Sequence, residues 1–336
     1  MDVDELVKKY ASGERNFPGI NLAGADLRGV NLSGANLAGA FLPYAVLNRS
    51  VLTGVCLRGA FLYGTKIKYA KLGGVALNQC DLTKTNLMGS YLVRADLTDS
   101  KFSGAILRGV NLRQANLRGA NLCGANLAGV NLHLANLESA DLSWANLTEA
   151  KLSGAHFTGA CLLHVKLCHA FVNGVDLSGA DLDGVDLCRA KLNGVNFNQA
   201  NLAAANLTHA QLKMASLIQT NLRAANLTGA SFVKADLSEA HLSRSELVHA
   251  DLTGANLAGA NLNGANLTAA NLSHANLRNA YLWMARMDDV IVDRTNLKGA
   301  QMQGASLDSS SLPKTLHDHT TRLPLEVTHS SFQMHG

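Results

Sequence analysis

Two groups of side chains in this 336-residue chain have the types that metal binding or catalysis would need. Cys168, His169 and Cys188, with His209 farther along, are soft ligands of the kind zinc takes. They would share one edge if the chain turned once in every twenty residues. The second group, His317, Asp318 and His319, lies near the end of the chain. Neither reaches the pattern of a known centre, and no P-loop, GxSxG or HExxH stretch stands anywhere in the sequence. Cysteine and histidine occur here at positions that other polar residues also fill. The expectation is therefore no metal, no cofactor and no enzyme.

What positions these side chains is a short period. From Leu22 to Leu312, every fifth residue is apolar, 59 positions without one insertion. Only Ile67, Phe102, Phe157, Val172, Phe197, Phe232, Met287, Val292 and Met302 are not leucine. The residue two places earlier, from Ala25 to Ser310, is always Ala, Val, Ser, Thr or Cys. Between the two stands Asn or Asp in 31 of the 59 repeats, so this place prefers a short polar side chain.

Neither regular structure buries such a pattern on one face. In an α-helix five residues advance about 500°, so successive leucines rotate by about 140°. In a strand, an odd spacing sends alternate leucines to opposite faces. The chain must turn once per repeat. The small residue and the leucine then point inward, the Asn or Asp between them points out, and the last two residues make the corner. Glycine is frequent there, as at Gly24, Gly29, Gly34 and Gly39, because a corner often needs positive φ.

This A(D/N)LXX pattern, running from about residue 17 to 312, resembles the pentapeptide-repeat family. The resemblance implies an all-β fold, a right-handed quadrilateral parallel β-helix with four pentapeptides per coil. It would have about 15 coils and a length of about 70 Å at the usual strand spacing. The stretch Tyr10-Ala11-Ser12-Gly13-Glu14-Arg15-Asn16-Phe17, followed by Ile20-Asn21-Leu22, is similar to the openings of cyanobacterial members. Among these is the member that influences heterocyst differentiation. That similarity implies a cytoplasmic protein acting through protein–protein contacts.

The spacing of the acids fits a coil of twenty. Ten repeats carry Asp or Glu at the outward place, and none has another acid there twenty residues away, as stacked like charges would require. The flanks complete the expected organisation. Residues 1–16 form a helical cap, with Asp2 as N-cap and Val3, Leu6, Val7 and Tyr10 at helical spacing. Residues 17–312 form the repeats, and residues 313–336 a tail that caps loosely or is disordered. Leu316, Leu323, Leu325, Val327 and Phe332 are its apolar residues.

Folding the repeats onto four faces separates the charges. The net formal charge is only +4, yet the face beginning at Asn31 is net +6. It carries Lys71, Arg94, Arg113, Lys151, Lys191, Lys213, Lys234 and Arg294 against Asp251 and Asp293. The other faces are net 0, +1 and −2. A second candidate surface is aromatic. Phe41, Tyr44, Phe61 and Tyr63 fall on adjacent coils of one face, exposed unless the opening segment folds over them. Tyr281, Trp283 and Met284 make a smaller cluster of the same kind.

These features exclude more than they select. A leucine-filled interior leaves no enzyme-sized pocket. No run approaches the roughly 18 apolar residues of a membrane span, and the opening Met1-Asp2-Val3-Asp4-Glu5 lacks a basic, then apolar leader. The expectation is a cytoplasmic interaction or regulatory scaffold with a protein partner, as a monomer or an end-to-end dimer, and with neither nucleic acid nor membrane as partner. Two alternatives remain. One is a gyrase-binding DNA mimic of the quinolone-resistance type, which the family resemblance brings in and the missing acidic face opposes. The other is a binder of an anionic polymer through the basic face.

Overall fold

In the computed structural model, which describes residues 1–324, the chain divides into two compact units, Met1–Phe171 and Val172–Gly336. Both are built from the same five-residue corner. Helix α1, Val3–Ala11, precedes the repeats of the first unit. A 3-10 turn, Ser309–Lys314, follows those of the second.

The repeat closes because all five of its backbone N–H groups find acceptors, as seen from Asn121 to Ala125. Asn121 N–H donates to Ser100 O on one neighbouring coil at 2.9 Å, and Leu122 N–H to Asp141 O on the other at 2.7 Å. Gly124 N–H reaches Ser143 O at 2.9 Å, and Ala125 N–H closes the turn onto Leu122 O at 2.9 Å. The fifth, Cys123 N–H, has no backbone partner and is taken by Oδ1 of Asn121 at 3.0 Å. The preference for Asn or Asp has this cause: the side chain caps the one donor that the ladder leaves over.

Each turn places positive φ at its third residue, the mark of a type II turn. Every fifth residue from Gly19 to Gly304 adopts it, glycine or not. Tyr44 (φ 58°), Tyr69 (φ 56°) and Trp144 (φ 62°) are held there although a side chain disfavours that region.

Parallel bridges join residues twenty apart, from Asn16↔Asn36 to Lys151↔Phe171 in the first unit and from Asp176↔Asn196 to Asn296↔Leu316 in the second. The coil of twenty therefore holds within each unit. The bridges are single: a five-residue repeat with a two-residue corner leaves one outward residue per side in the ladder, so among the described residues no extended strand forms. Beyond the last leucine of the period the ladder continues, with a one-residue slip, through Gln301↔Arg322. Leu325, Val327 and Phe332 lie outside the described residues.

Inside, the leucines are buried, together with Phe102, Phe197 and Phe232. The polar residues at the small inward position pair with backbone carbonyls. Thr65 donates to Leu42 O at 2.8 Å, Ser100 to Leu77 O at 2.8 Å and Thr220 to Phe197 O at 2.7 Å. No buried side-chain polar atom among the described residues lacks a partner, as a dry interior requires.

Helix α1 begins with Asp2 accepting Glu5 N–H at 2.8 Å. It is tied to the coils by the Tyr10 hydroxyl, which donates to Ser33 O at 2.8 Å. Leu6 is fully buried, whereas Val7 is 40% exposed, so a single residue anchors the inner side of the helix.

Candidate functional site

The aromatic surface assembles in the first unit because Phe41 and Phe61 share one column of bridges, Asn21↔Phe41 and Phe41↔Phe61, with Tyr44 and Tyr63 at the corners that follow them. The rings of Phe41 and Phe61 stack with centroids 5.3 Å apart and planes 9° from parallel. Phe61 stacks in turn on Tyr63 at 6.2 Å, and Tyr44 meets Tyr63 edge-on at 5.6 Å. The Lys84 ammonium lies 5.8 Å from the Tyr63 ring centre, within cation–π reach. Phe41 is 43% exposed and Tyr44 63%. Helix α1 is bonded at Ser33 and leaves these two rings open to solvent.

Replacing the outward Asn by Phe41 would leave an N–H uncapped, but the residue two places on is Pro43, which has none. Across the corner, the Tyr44 ring lies over Gly64, where a Cβ would come within 2.8 Å of it. Phe41 and Tyr44 thus sit where the repeat tolerates them.

The same face carries a second aromatic group that the period did not reveal. Trp144 and His164 hold equivalent corners of adjacent coils, with rings 4.2 Å apart. Trp144 is 64% exposed and Leu163 beside it 39%. The separation of twenty was the available signal. Asp81, Lys101, Asn121 and Asp141 occupy the outward places between the two groups.

The basic residues divide between the units. Lys71, Arg94, Arg113 and Lys151 belong to the first, and Lys191, Lys213, Lys234 and Arg294 to the second. All eight are exposed. Lys71 and Lys151 share a bridge column that includes Tyr91, 48% exposed, while Arg94 stands at a corner and donates to Gln114 Oε1 at 3.1 Å. Ion pairs among the described residues include Lys9–Glu5, Arg28–Asp26 and Arg286–Asp288. Lys71, Arg94, Arg113, Lys151, Lys213, Lys234 and Arg294 take part in none of them.

The candidate ligand residues are placed as follows. Cys168 and His169 belong to the first unit, Cys188 and His209 to the second. The His209 ring lies over Gly229. Near the C-terminus, His317 Nδ1 pairs with Thr315 Oγ1 at 3.0 Å. The carboxylate of Asp318 accepts Thr320 N–H at 3.0 Å, and the Thr320 hydrogen bonds hold its pKa below the usual value. These side chains serve the local turn.

Acids and amides are sorted along the columns. Asn201 donates to Asp181 at 2.9 Å, Asn206 to Asp186 at 3.0 Å, Asn256 to Asp236 at 3.0 Å and Asn266 to Glu246 at 2.8 Å. Each acid thus meets a donor, not another acid, one coil away.

The family model described as "Pentapeptide repeats (8 copies)" matches the chain in segments running from residues 14–42 to 275–312. Against the curated proteins there is no match. Among solved structures the chain is similar to HetL, a pentapeptide repeat protein involved in heterocyst differentiation regulation in the cyanobacterium Nostoc sp. strain PCC 7120. Identity there is 29%, over 89% of this chain and 96% of that one, with a TM-score of 0.23. It is similar also to full-length QnrB1, a plasmid-mediated fluoroquinolone resistance protein, at 15% identity over 73% of this chain and 95% of that one, with a TM-score of 0.20. A pentapeptide repeat protein from the Arabidopsis thaliana thylakoid lumen matches at 35% identity over 31% of this chain and 70% of that one, with a TM-score of 0.25.

Proposed function

The chain belongs to the pentapeptide-repeat family, and from that premise we propose that it is a non-enzymatic scaffold that holds a protein partner against one outer face of its coils. The observation that carries this reading is the stack of half-buried Phe61 and Tyr63 with exposed Phe41, and with exposed Tyr44 at its edge. Rings in contact with each other and open to water are the usual material of an interface centre. Trp144 with His164, on the same face and about 19 Å away at four coil spacings, would lengthen the contact.

The non-enzymatic part rests on the interior, filled by leucine and phenylalanine, and on outer faces too open to exclude water. No helix among the described residues is long and apolar enough to cross a membrane. We infer a cytoplasmic protein that acts as a monomer or an end-to-end dimer, with 1–16 and 313–324 shielding the ends of the repeats.

The test is affinity capture from the native host with the full chain, followed by mass spectrometry, repeated with Phe41→Ala/Phe61→Ala. Partners retained by the wild type should be lost from the double variant. Equal recovery from both would reject the aromatic surface. A second reading is favoured by the unneutralised cations: Lys71→Glu/Arg113→Glu/Lys151→Glu would abolish capture if the basic face were the contact. A gyrase-directed DNA-mimic role is not favoured, because the most acidic face is only net −2.

A further inference from the structure

The second unit carries a shallow hollow that the aromatic reading of the first does not use. Its floor holds His241, Asn261 and Asn263. The corner ladder that ends at Glu239 forms one rim and Arg244 part of the other, while Tyr281 and Trp283 close one end. Two contiguous depressions of about 610 and 1040 Å³ share the three floor residues, so the hollow is continuous. It exists because Gly259 and Gly264 leave both corners of one coil bare.

The polar groups here are prearranged and partly unused. Gln199 Nε2 donates to Gln219 Oε1 at 3.1 Å, and Gln219 Nε2 to Glu239 Oε2 at 2.8 Å, a relay that fixes the Glu239 carboxylate at the rim. Asn261 Oδ1 accepts Asn263 N–H at 3.1 Å, and Asn263 Oδ1 accepts Trp283 N–H at 3.0 Å. Both floor amides thereby have their oxygens engaged, which leaves the NH2 groups as what they can offer a ligand. Tyr281 and Trp283 are 51% and 54% exposed.

We propose that this hollow binds a neutral oligosaccharide. Sugar hydroxyls both donate and accept, and the hollow offers amide donors, a carboxylate acceptor and an imidazole within one surface. The apolar faces of sugar rings suit the exposed rings of Tyr281 and Trp283. Glu239 against Arg223 and Arg244 leaves the lining only about one charge positive, too little to gather a polyanion, and a neutral chain meets no repulsion. The apolar side pockets that a peptide would need are missing from the lining, whose aliphatic side chain is Met284.

The test uses the full chain carrying Trp144→Phe, so that Trp283 is the one remaining tryptophan. Its fluorescence is titrated with cellohexaose, mannohexaose, chitohexaose and laminarihexaose, and heats are measured in parallel. Saturable binding of at least one is expected, with affinity lowered about tenfold or more by Trp283→Ala and less by Trp283→Phe. The Trp283 side chain is exposed and its backbone N–H survives substitution, so the fold is kept, and unchanged melting verifies it. Arg118→Glu, in the other unit, should leave sugar affinity unchanged. No binding of any of the four at about 10 mM, or equal binding by Trp283→Ala, would overturn the proposal. So would an unstructured peptide or duplex DNA that quenches Trp283 more tightly than every sugar.

Discussion

The side-chain oxygen of Asn263 accepts the backbone N–H of Trp283, one coil away, at 3.0 Å. Tyr281 stands where an Asn or Asp would have capped that N–H, and an asparagine of the preceding coil does so in its place. The device recurs. Asn48 caps Lys68 at 2.9 Å, Asn173 caps Asn193 at 2.9 Å and Asn198 caps Ile218 at 2.9 Å, each where the outward residue of the repeat is not Asn or Asp. A repeat can thus give up its own cap and present a larger side chain, provided the coil before it supplies the oxygen.

Asn263→Ala should therefore lower stability by about 1 kcal/mol, the net value of one hydrogen bond. It should also alter Trp283 emission. Asn263→Asp, which keeps the acceptor, should restore most of the loss. Urea unfolding followed by tryptophan fluorescence and far-UV circular dichroism measures both.

The corner conformation makes two substitutions act in opposite directions. Gly124 has φ +64° with open space around its missing Cβ, so Gly124→Ala meets only backbone strain and should cost about 1 kcal/mol. Ala204 holds φ 52°, and Ala204→Gly relieves that strain at the cost of a looser unfolded chain. A small gain or no change is expected there, and a thermal melt of each variant decides the sign.

Burial raises the Cys80 thiol from 9.0 to about 12, while its Sγ–H donates to Leu57 O at 2.9 Å. Iodoacetamide should therefore modify Cys123, which is partly exposed, well before Cys80. Because the unfolded thiol ionises first, the unfolded chain holds fewer protons as pH rises from 9 toward 12, and stability falls across that window. Cys80→Ser, whose hydroxyl stays protonated there, should flatten the fall. Labelling rates by mass spectrometry and melts across the window test both statements.

The turn in every repeat was legible in the leucine period, because a one-dimensional repeat has few ways to bury itself, whereas four repeats to a coil came from the family resemblance. The acid spacing showed that no two acids share adjacent places in a column, and Asp181 and Asp186 indeed accept there from Asn201 and Asn206. What the period could not reveal was the reason for the amide. Asn121 looked like an outward polar residue until its oxygen was seen on Cys123 N–H. Trp144 and His164 were missed as well, though their contact needs only the same step of twenty that joins Tyr44 to Gly64. The hollow was harder still. It depends on what is missing at Gly259 and Gly264, and an exposed Trp283 looks the same in sequence with or without a depression beside it.

Every surface described above follows from residues twenty apart standing side by side within a unit. Asn111 and Asn131 are bridged in this way, whereas Asn111 and Asn126 are fifteen apart and belong to different columns. Asn111→Cys/Asn131→Cys, oxidised mildly and read by intact mass and thiol counting, should close an intramolecular disulfide within the usual reach of about 4.4–6.8 Å between Cα atoms. Asn111→Cys/Asn126→Cys should stay reduced under the same conditions. Closure of the second pair in preference to the first would contradict the coil of twenty, and the proposed surfaces would fall with it.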